Sequence, residues 1–324
     1  MRHYTLKGRK FFCLNPASML KYRMQLRIGH LSTLYHTSIV MMAHREILSG
    51  FPARIKWSLF GTGPAIVNAF RENEIDLAYI GLPPAVIGIL SGVRIRCIAG
   101  GHIEGTVIAS HKDSYHDTDN LGTILSGFSS IGVPGKGSIH DLILMDIRDR
   151  YNPSLTVMNF RWADEVLEAF VKNKVDAVIG TPALAQAVVE YGDGKIIYPS
   201  SRLWPCNPSY GILVREELME GDGKEILREF LLRHEGATLL LREDREALSV
   251  EIASFMGVVD RDFVLNTLNI SPRYCAALSD GFIRCTMDLA ARQKDLGYID
   301  REVSKEEVFD LSLINEIHPE PPHY

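Results

Sequence analysis

Two segments about a hundred residues apart repeat one another. Residues 69–81 read AFRENEIDLAYIG and residues 169–180 read AFVKNKVDAVIG, one residue shorter. Each reads as a helix end, a short polar turn, a buried strand, and then Gly with a nearby proline, Pro83 or Pro182, opening another helix. One α/β unit used twice predicts two similar lobes, and two lobes enclose a cleft.

The length allows this. A chain of 324 residues is long for one compact domain and fits two lobes of ordinary size. Hydrophobic residues make up 46% and charged residues 23%, as in a globular protein with a sizeable core. The net charge of −5, with no basic tract, argues against nucleic acid as a partner. No apolar run approaches the roughly 20 residues that span a bilayer.

Arg2, Lys7, Arg9 and Lys10 before Phe11-Phe12-Cys13-Leu14 imitate the start of an export signal, but the run breaks at Asn15-Pro16. Residues 1–24 are therefore read as a poorly ordered leader, with Met24 as an alternative start. Cys13, Cys97, Cys206, Cys275 and Cys285 form no CxxC pair and no short-spaced metal set. An odd count without a clear signal fits reduced thiols in the cytoplasm. The expectations are a cytoplasmic protein as the sequence stands, or a periplasmic or extracellular one if the N-terminus is wrongly assigned.

Lobe 1 is expected from residues 25–110 and 205–324, the latter carrying C-terminal helices, and lobe 2 from residues 111–204. Five strand ends share one design, with small or polar residues immediately before a helix. They fall at residues 29–38, 61–63, 81–83, 135–138 and 180–182. Ligands in open α/β sheets bind beyond the carboxyl ends of strands, where helix N-termini offer unpaired N–H groups. Five such ends facing one cleft suit a small polar or anionic molecule. Gly61 and Gly137 are candidates on this ground. Residues 135–138 lack the spacing of a nucleotide P-loop, and residues 61–63 lack the third Gly of a dinucleotide fingerprint, which argues against a nucleotide enzyme.

Tyr35 and His36 open the first helix, where a ring and an imidazole either reach the cleft or pack beside it. Trp162 holds the matching loop of lobe 2 and either closes on a ligand or buries its ring. Glu104 lies at the expected first crossover, where it binds a cationic group, joins the lobes, or is a solvated hinge carboxylate. His102-Ile103-Glu104 offers no committed ligand spacing, so neither a metal nor a cofactor is expected. Cys206 lies at the second crossover; with no cation beside it in sequence, it reads as an inert thiol.

The segments at residues 74–81, 131–138 and 175–180, with 271–275 and 296–298 less specifically, resemble the substrate-binding proteins of nitrate/sulfonate/taurine-type ABC importers. That group also includes the thiamine-pyrimidine synthase-like proteins, and the similarity runs from about Leu26 to His318. The resemblance implies a type II periplasmic-binding-protein fold: two doubly wound lobes joined by two crossovers, with a central cleft and C-terminal helices. It implies ligand contacts at Ser32, Tyr35, His36, Thr62, Pro83, Glu104, Ser138, Trp162 and Thr181. It also implies capture of a sulfonate, nitrate, taurine or pyrimidine-like molecule without chemistry, for an ABC importer permease, by a chain expected to be monomeric. The alternative is an enzyme on the same scaffold, for thiamine-pyrimidine synthesis or sulfinate cleavage, using His36 and Cys206.

Overall fold

The structure, a computed structural model, describes residues 24–113 and 118–324. Apart from Met24, the expected leader lies outside the described residues. Ten strands form two sheets: β1 (Gln25–Leu31), β2 (Arg54–Phe60), β3 (Leu77–Ile80), β4 (Ile95–Ile103), β5 (Val107–His111), β6 (Ser130–Pro134), β7 (Thr156–Phe160), β8 (Ala177–Gly180), β9 (Gly194–Tyr198) and β10 (Pro208–Arg215). The first sheet has the order β2-β1-β3-β10-β4 and the second β7-β6-β8-β5-β9.

The repeat is visible in the pairing. In the first sheet β1 lies parallel to both β2 and β3, and in the second β6 lies parallel to both β7 and β8. Beside β3 and β8 each sheet carries one antiparallel strand, β10 and β5 respectively. Each of those strands arrives from the other lobe, so the chain crosses twice, after β4 and before β10. Helices cover both faces of the parallel strands, which explains why β3 and β8 are apolar throughout rather than alternating. The fold is α/β, with two doubly wound lobes and C-terminal helices.

The repeated Asp anchors each unit. The Asp76 N–H donates to the Arg27 carbonyl and the Asp176 N–H to the Ser130 carbonyl, at 2.8 and 3.1 Å. Each follows an Asn with positive φ, Asn73 at 58° and Asn173 at 52°, a conformation that Asn tolerates better than most residues. The polar turn in the sequence is thus a left-handed helix ending that feeds straight into the strand.

Three details differ from the sequence reading. Residues 106–110 were assigned to lobe 1, but β5 pairs with β8 and β9, so the first crossover falls at residues 104–106. The first helix, expected to reach Leu48, stops at Ala43 and a 3-10 turn, Arg45–Leu48, follows. The C-terminal helices, expected with lobe 1, touch both lobes. Phe230 and Leu231 of the helix Gly221–Glu243 join the first core. Leu289 of the helix Asp280–Asp295 joins the second. That helix also reaches both lobes by hydrogen bonds, with Gln293 Nε2 donating to the Pro83 carbonyl at 3.0 Å and Arg292 Nε to Asp146 at 2.7 Å.

Candidate functional site

The strand ends of the two sheets face one another across a cleft of about 460 Å³. From the first lobe come the turn after β1, the loop after β2, Gly81, Pro84 and Ser209. The second lobe supplies Pro134, Ser138, Ile139, His140, the Trp162–Asp164 loop and Thr181. The lobes touch. A side chain at Gly61 would come within 2.9 Å of the Trp162 indole, and one at Gly135 within 3.0 Å of Thr62.

Of the residues singled out from sequence, Ser32, Tyr35, His36, Gly61, Thr62, Ser138, Trp162 and Thr181 line this cleft. Pro83, Glu104 and Gly137 do not. Pro83 is buried in the first turn of the helix Leu82–Leu90, and its neighbour Pro84 faces the cleft instead. Gly137, at φ 79°, turns its N–H onto Asp141 Oδ2 at 2.7 Å. Glu104 is 2% exposed and sits at φ 60° in the crossover. Its Oε1 accepts the Cys206 N–H and its Oε2 accepts Arg273 Nη1, each at 2.9 Å. The carboxylate joins one crossover to the other.

Cys206 stands in that second crossover at φ 61° and does not line the cleft. The His36–Cys206 pair of the enzyme alternative is therefore not assembled in the cleft.

His36 is 1% exposed, and its Nδ1 has no hydrogen-bond partner among the described residues. Its ring lies 4.0 Å from that of Tyr210 and 4.6 Å from that of Tyr35. Tyr210 is fixed by a chain of bonds whose directions can be assigned. The Gly100 carbonyl only accepts, so His234 Nε2, 2.8 Å away, carries a proton. Burial pushes the His234 pKa down to about 4, so the ring is neutral and its Nδ1 accepts from Thr37 Oγ1 at 3.0 Å. Thr37 Oγ1 in turn accepts the Tyr210 hydroxyl proton, and that hydroxyl accepts the Thr37 N–H, both at 3.0 Å. The strand makes room for the ring at Gly101, where a Cβ would lie 2.0 Å from it. The wall behind His36 is thus rigid.

Among the polar cleft residues that the sequence reading does not single out are Ser209 and His140. The Ser209 hydroxyl accepts the Gly105 N–H at 2.7 Å and meets His102 Nδ1 at 2.8 Å. His102 Nε2 donates to the Ser271 carbonyl, so Nδ1 of this neutral ring accepts the serine proton. His140 Nδ1 lies 3.0 Å from Thr106 Oγ1. A signal was present for both: His140 lies two residues beyond the cap Ser138, and Ser209 opens the returning strand.

Charge is scarce inside. Burial holds His36 well below the usual histidine range, and His102 and His140 at about 4, so all three are neutral near pH 7. The same burial raises Tyr35 and Tyr210. Among the described residues no Lys or Arg lines the cleft, and the only acidic one is the exposed Asp164. The cap hydroxyls differ. Ser138 donates to the Pro134 carbonyl at 2.8 Å and accepts the Asp141 N–H at 3.2 Å, so its proton is committed. Thr62 and Thr181 accept the N–H groups of Ala65 and Leu184, and each keeps a proton to donate. A second cavity of about 430 Å³ shares Gly61, Thr62 and Trp162, and adds Lys136 and Arg161. Among the described residues no group of three metal-ligating side chains lies in the cleft.

Solved structures with this arrangement include three that bear on it. The ligand-binding component of an ABC-type import system from Staphylococcus aureus, solved with zinc bound, matches with a TM-score of 0.77 and 16% identity over 92% of this chain and 100% of that one. The alkanesulfonate-binding protein SsuA from Xanthomonas axonopodis pv. citri, bound to MOPS, matches at 0.75 and 20% identity, over 88% and 98%. The periplasmic nitrate-binding protein NrtA from Synechocystis PCC 6803 matches at 0.72 and 11% identity, over 91% and 88%. At these identities the likeness shows a shared fold. No curated protein sequence matches the chain. A family model does, and its match to residues 22–247 takes in both sheets and both crossovers, so the chain belongs to the NMT1-like family.

Proposed function

We propose that this protein is a solute-binding protein that captures a small polar molecule between its lobes, without chemistry, for an ABC importer. The observation that carries the reading is the cleft itself: lobes in contact around buried polar groups, with His36 Nδ1 lacking a partner among the described residues. An unbonded buried nitrogen costs about 1–3 kcal/mol, which a ligand hydrogen bond offsets. The proteins that share the fold bind small solutes, and Trp162 against Gly61 supplies contacts that only the closed form makes.

The walls favour a pyrimidine-like ring over an ionised sulfonate or nitrate. With no Lys or Arg among the described lining residues, a fully ionised group would rely on neutral donors, hydroxyls and ring or backbone N–H groups. A neutral ring with donor and acceptor edges matches neutral histidines, tyrosine faces and the protons of Thr62 and Thr181. The permease partnership rests on fold likeness, and so does a location outside the cytoplasm; no helix among the described residues is long and apolar enough to cross a membrane.

The test is a thermal-shift panel of pyrimidines, taurine, alkanesulfonates and nitrate, followed by mass analysis of the bound molecule. A pyrimidine should raise Tm, be recovered unchanged, and bind about tenfold more weakly to His36→Ala, the equivalent of one lost hydrogen bond of about 1.4 kcal/mol. Stabilisation by the sulfonates or nitrate alone, with no effect of His36→Ala, would overturn the ligand class. Recovery of a converted molecule would overturn the binding role.

A further inference from the structure

Away from the cleft, the end of the chain folds back onto β4. The segment after the helix Arg261–Ile270 runs beside that strand, the Cys275 N–H donating to the Gly101 carbonyl at 3.1 Å. The C-terminal residues then cover it, and the Tyr324 hydroxyl donates to the Cys275 carbonyl at 3.1 Å. This closure brings three metal-ligating side chains together. Cys275 Sγ lies 3.5 Å from His318 Nε2 and 3.6 Å from His323 Nδ1. All three ligand atoms are within 4.8 Å of one another.

We propose that Cys275, His318 and His323 form a zinc site that clamps the C-terminal tail to the strand leading into the first crossover. The distances are the first reason. A tetrahedral zinc with its thiolate at about 2.3 Å and its imidazole nitrogens at about 2.0–2.1 Å sets sulfur and nitrogen about 3.5 Å apart. The two observed separations match that edge before any metal-driven adjustment.

The second reason is the support of His318. Its Nδ1 lies 3.1 Å from Glu235 Oε2, and Glu235 is itself held by Arg242 and by Thr238 Oγ1. A carboxylate on one imidazole nitrogen fixes the tautomer and turns the other nitrogen's lone pair to the metal, the arrangement found behind many zinc ligands. Here that other nitrogen is the one facing the sulfur.

Donor chemistry selects the ion. One thiolate and two imidazoles suit a borderline-soft divalent cation such as Zn²⁺ and are poor for Ca²⁺ or Mg²⁺, which take oxygen. Cys275 and His318 are buried while His323 is exposed, so a fourth coordination position opens toward solvent. The two histidines lie at a common ligand spacing, but the cysteine is 43 and 48 residues from them, so no complete motif shows in the sequence.

The test uses the full chain, stripped with a chelator and kept reduced by a phosphine, titrated with Zn²⁺ by calorimetry and with Co²⁺ by absorption. The expected result is one equivalent of Zn²⁺ and a thiolate-to-cobalt charge-transfer band with the intense d–d bands of a tetrahedral site. Cys275→Ser should abolish the charge-transfer band. His323→Ala, an exposed change that leaves the fold intact, should weaken Zn²⁺ at least tenfold and remove the metal-dependent rise in Tm. Glu235→Gln should weaken it roughly 10–100-fold. Absence of the thiolate band from the folded wild-type chain would overturn the site and leave a hydrogen-bonded Cys–His cluster. Unchanged Zn²⁺ affinity in both Cys275→Ser and His323→Ala would overturn it too, placing the metal elsewhere.

Discussion

Asp76 and Asp176 hold the same place in two copies of one unit, and their partners differ. Asp76 Oδ2 accepts the Arg27 N–H at 2.8 Å and Arg27 Nε at 2.9 Å, and Oδ1 pairs with Nη2 of the same guanidinium. Asp176 Oδ2 accepts the N–H groups of Ser129 and Ser130, at 2.7 and 2.9 Å, and no ion pair of Asp176 is seen among the described residues. At the other end of the first strand the copies diverge further. The first lobe runs on through residues 31–36 and leaves His36 Nδ1 without a partner among the described residues. The second closes at once, with Gly137 and Ser138 bonded back into their own loop. Backbone geometry is what the two lobes share, and recognition chemistry sits where they differ.

The largest test of this asymmetry is acid. His102 and His234 belong to the first lobe and its helices, His140 to the second, and each has its pKa pushed down to about 4. An unfolded histidine takes up a proton near pH 6.5, whereas these refuse it until about pH 4. Stability is therefore fully present above pH 6.5 and is lost as pH falls from there through 4, on the order of 3 kcal/mol for each ring. Hydrogen exchange at pH 4.5 should lose protection in β1, β3 and β4 before β6 and β8. The reverse order would break the comparison.

A smaller effect separates the anchors. Asp76→Ala strands a partly buried guanidinium and should cost about 3 kcal/mol. Asp176→Ala removes neutral donors' acceptor and should cost about 1–2 kcal/mol. Urea unfolding of the two variants measures the difference, and equal losses would show that Arg27 adds nothing beyond the shared N–H bond.

The smallest effect on stability sharpens the contrast between walls. Trp162 is 36% exposed and its indole packs on Gly61, so Trp162→Ala should cost about 1 kcal/mol. It removes the contact with Gly61, so small-angle scattering should show a larger radius of gyration. An unchanged radius would mean that the lobes are held together elsewhere.

The repeat carried the fold legibly, because strand burial, the Asn turn and the Gly–Pro helix start are all local in sequence. Eight cleft residues were legible for the same reason: each stands at a strand end next to a helix start. Glu104 stands at the crossover, as expected, and joins it to the other. That its carboxylate turns from the cleft was not legible, because its orientation depends on a positive φ and on Cys206 and Arg273, 102 and 169 residues away. Gly137 was misplaced by a nearer partner, Asp141, which a reading of Ser138 as a helix cap had within reach. Ser209 and His102 meet across 107 residues, a distance no local pattern spans.

Asp141 reaches further than its own loop. Besides Gly137 it receives Asn159 Nδ2 at 2.8 Å and, from beyond the helix Asp280–Asp295, the Tyr298 hydroxyl at 2.8 Å. One buried carboxylate thus ties the loop next to the cleft to a tyrosine of the C-terminal segment. Gly137 and Tyr298 share the same Oδ2 of Asp141 as their acceptor. Removing the Tyr298 hydroxyl would therefore free an acceptor position beside the Gly137 turn and leave every residue of the cleft lining in place.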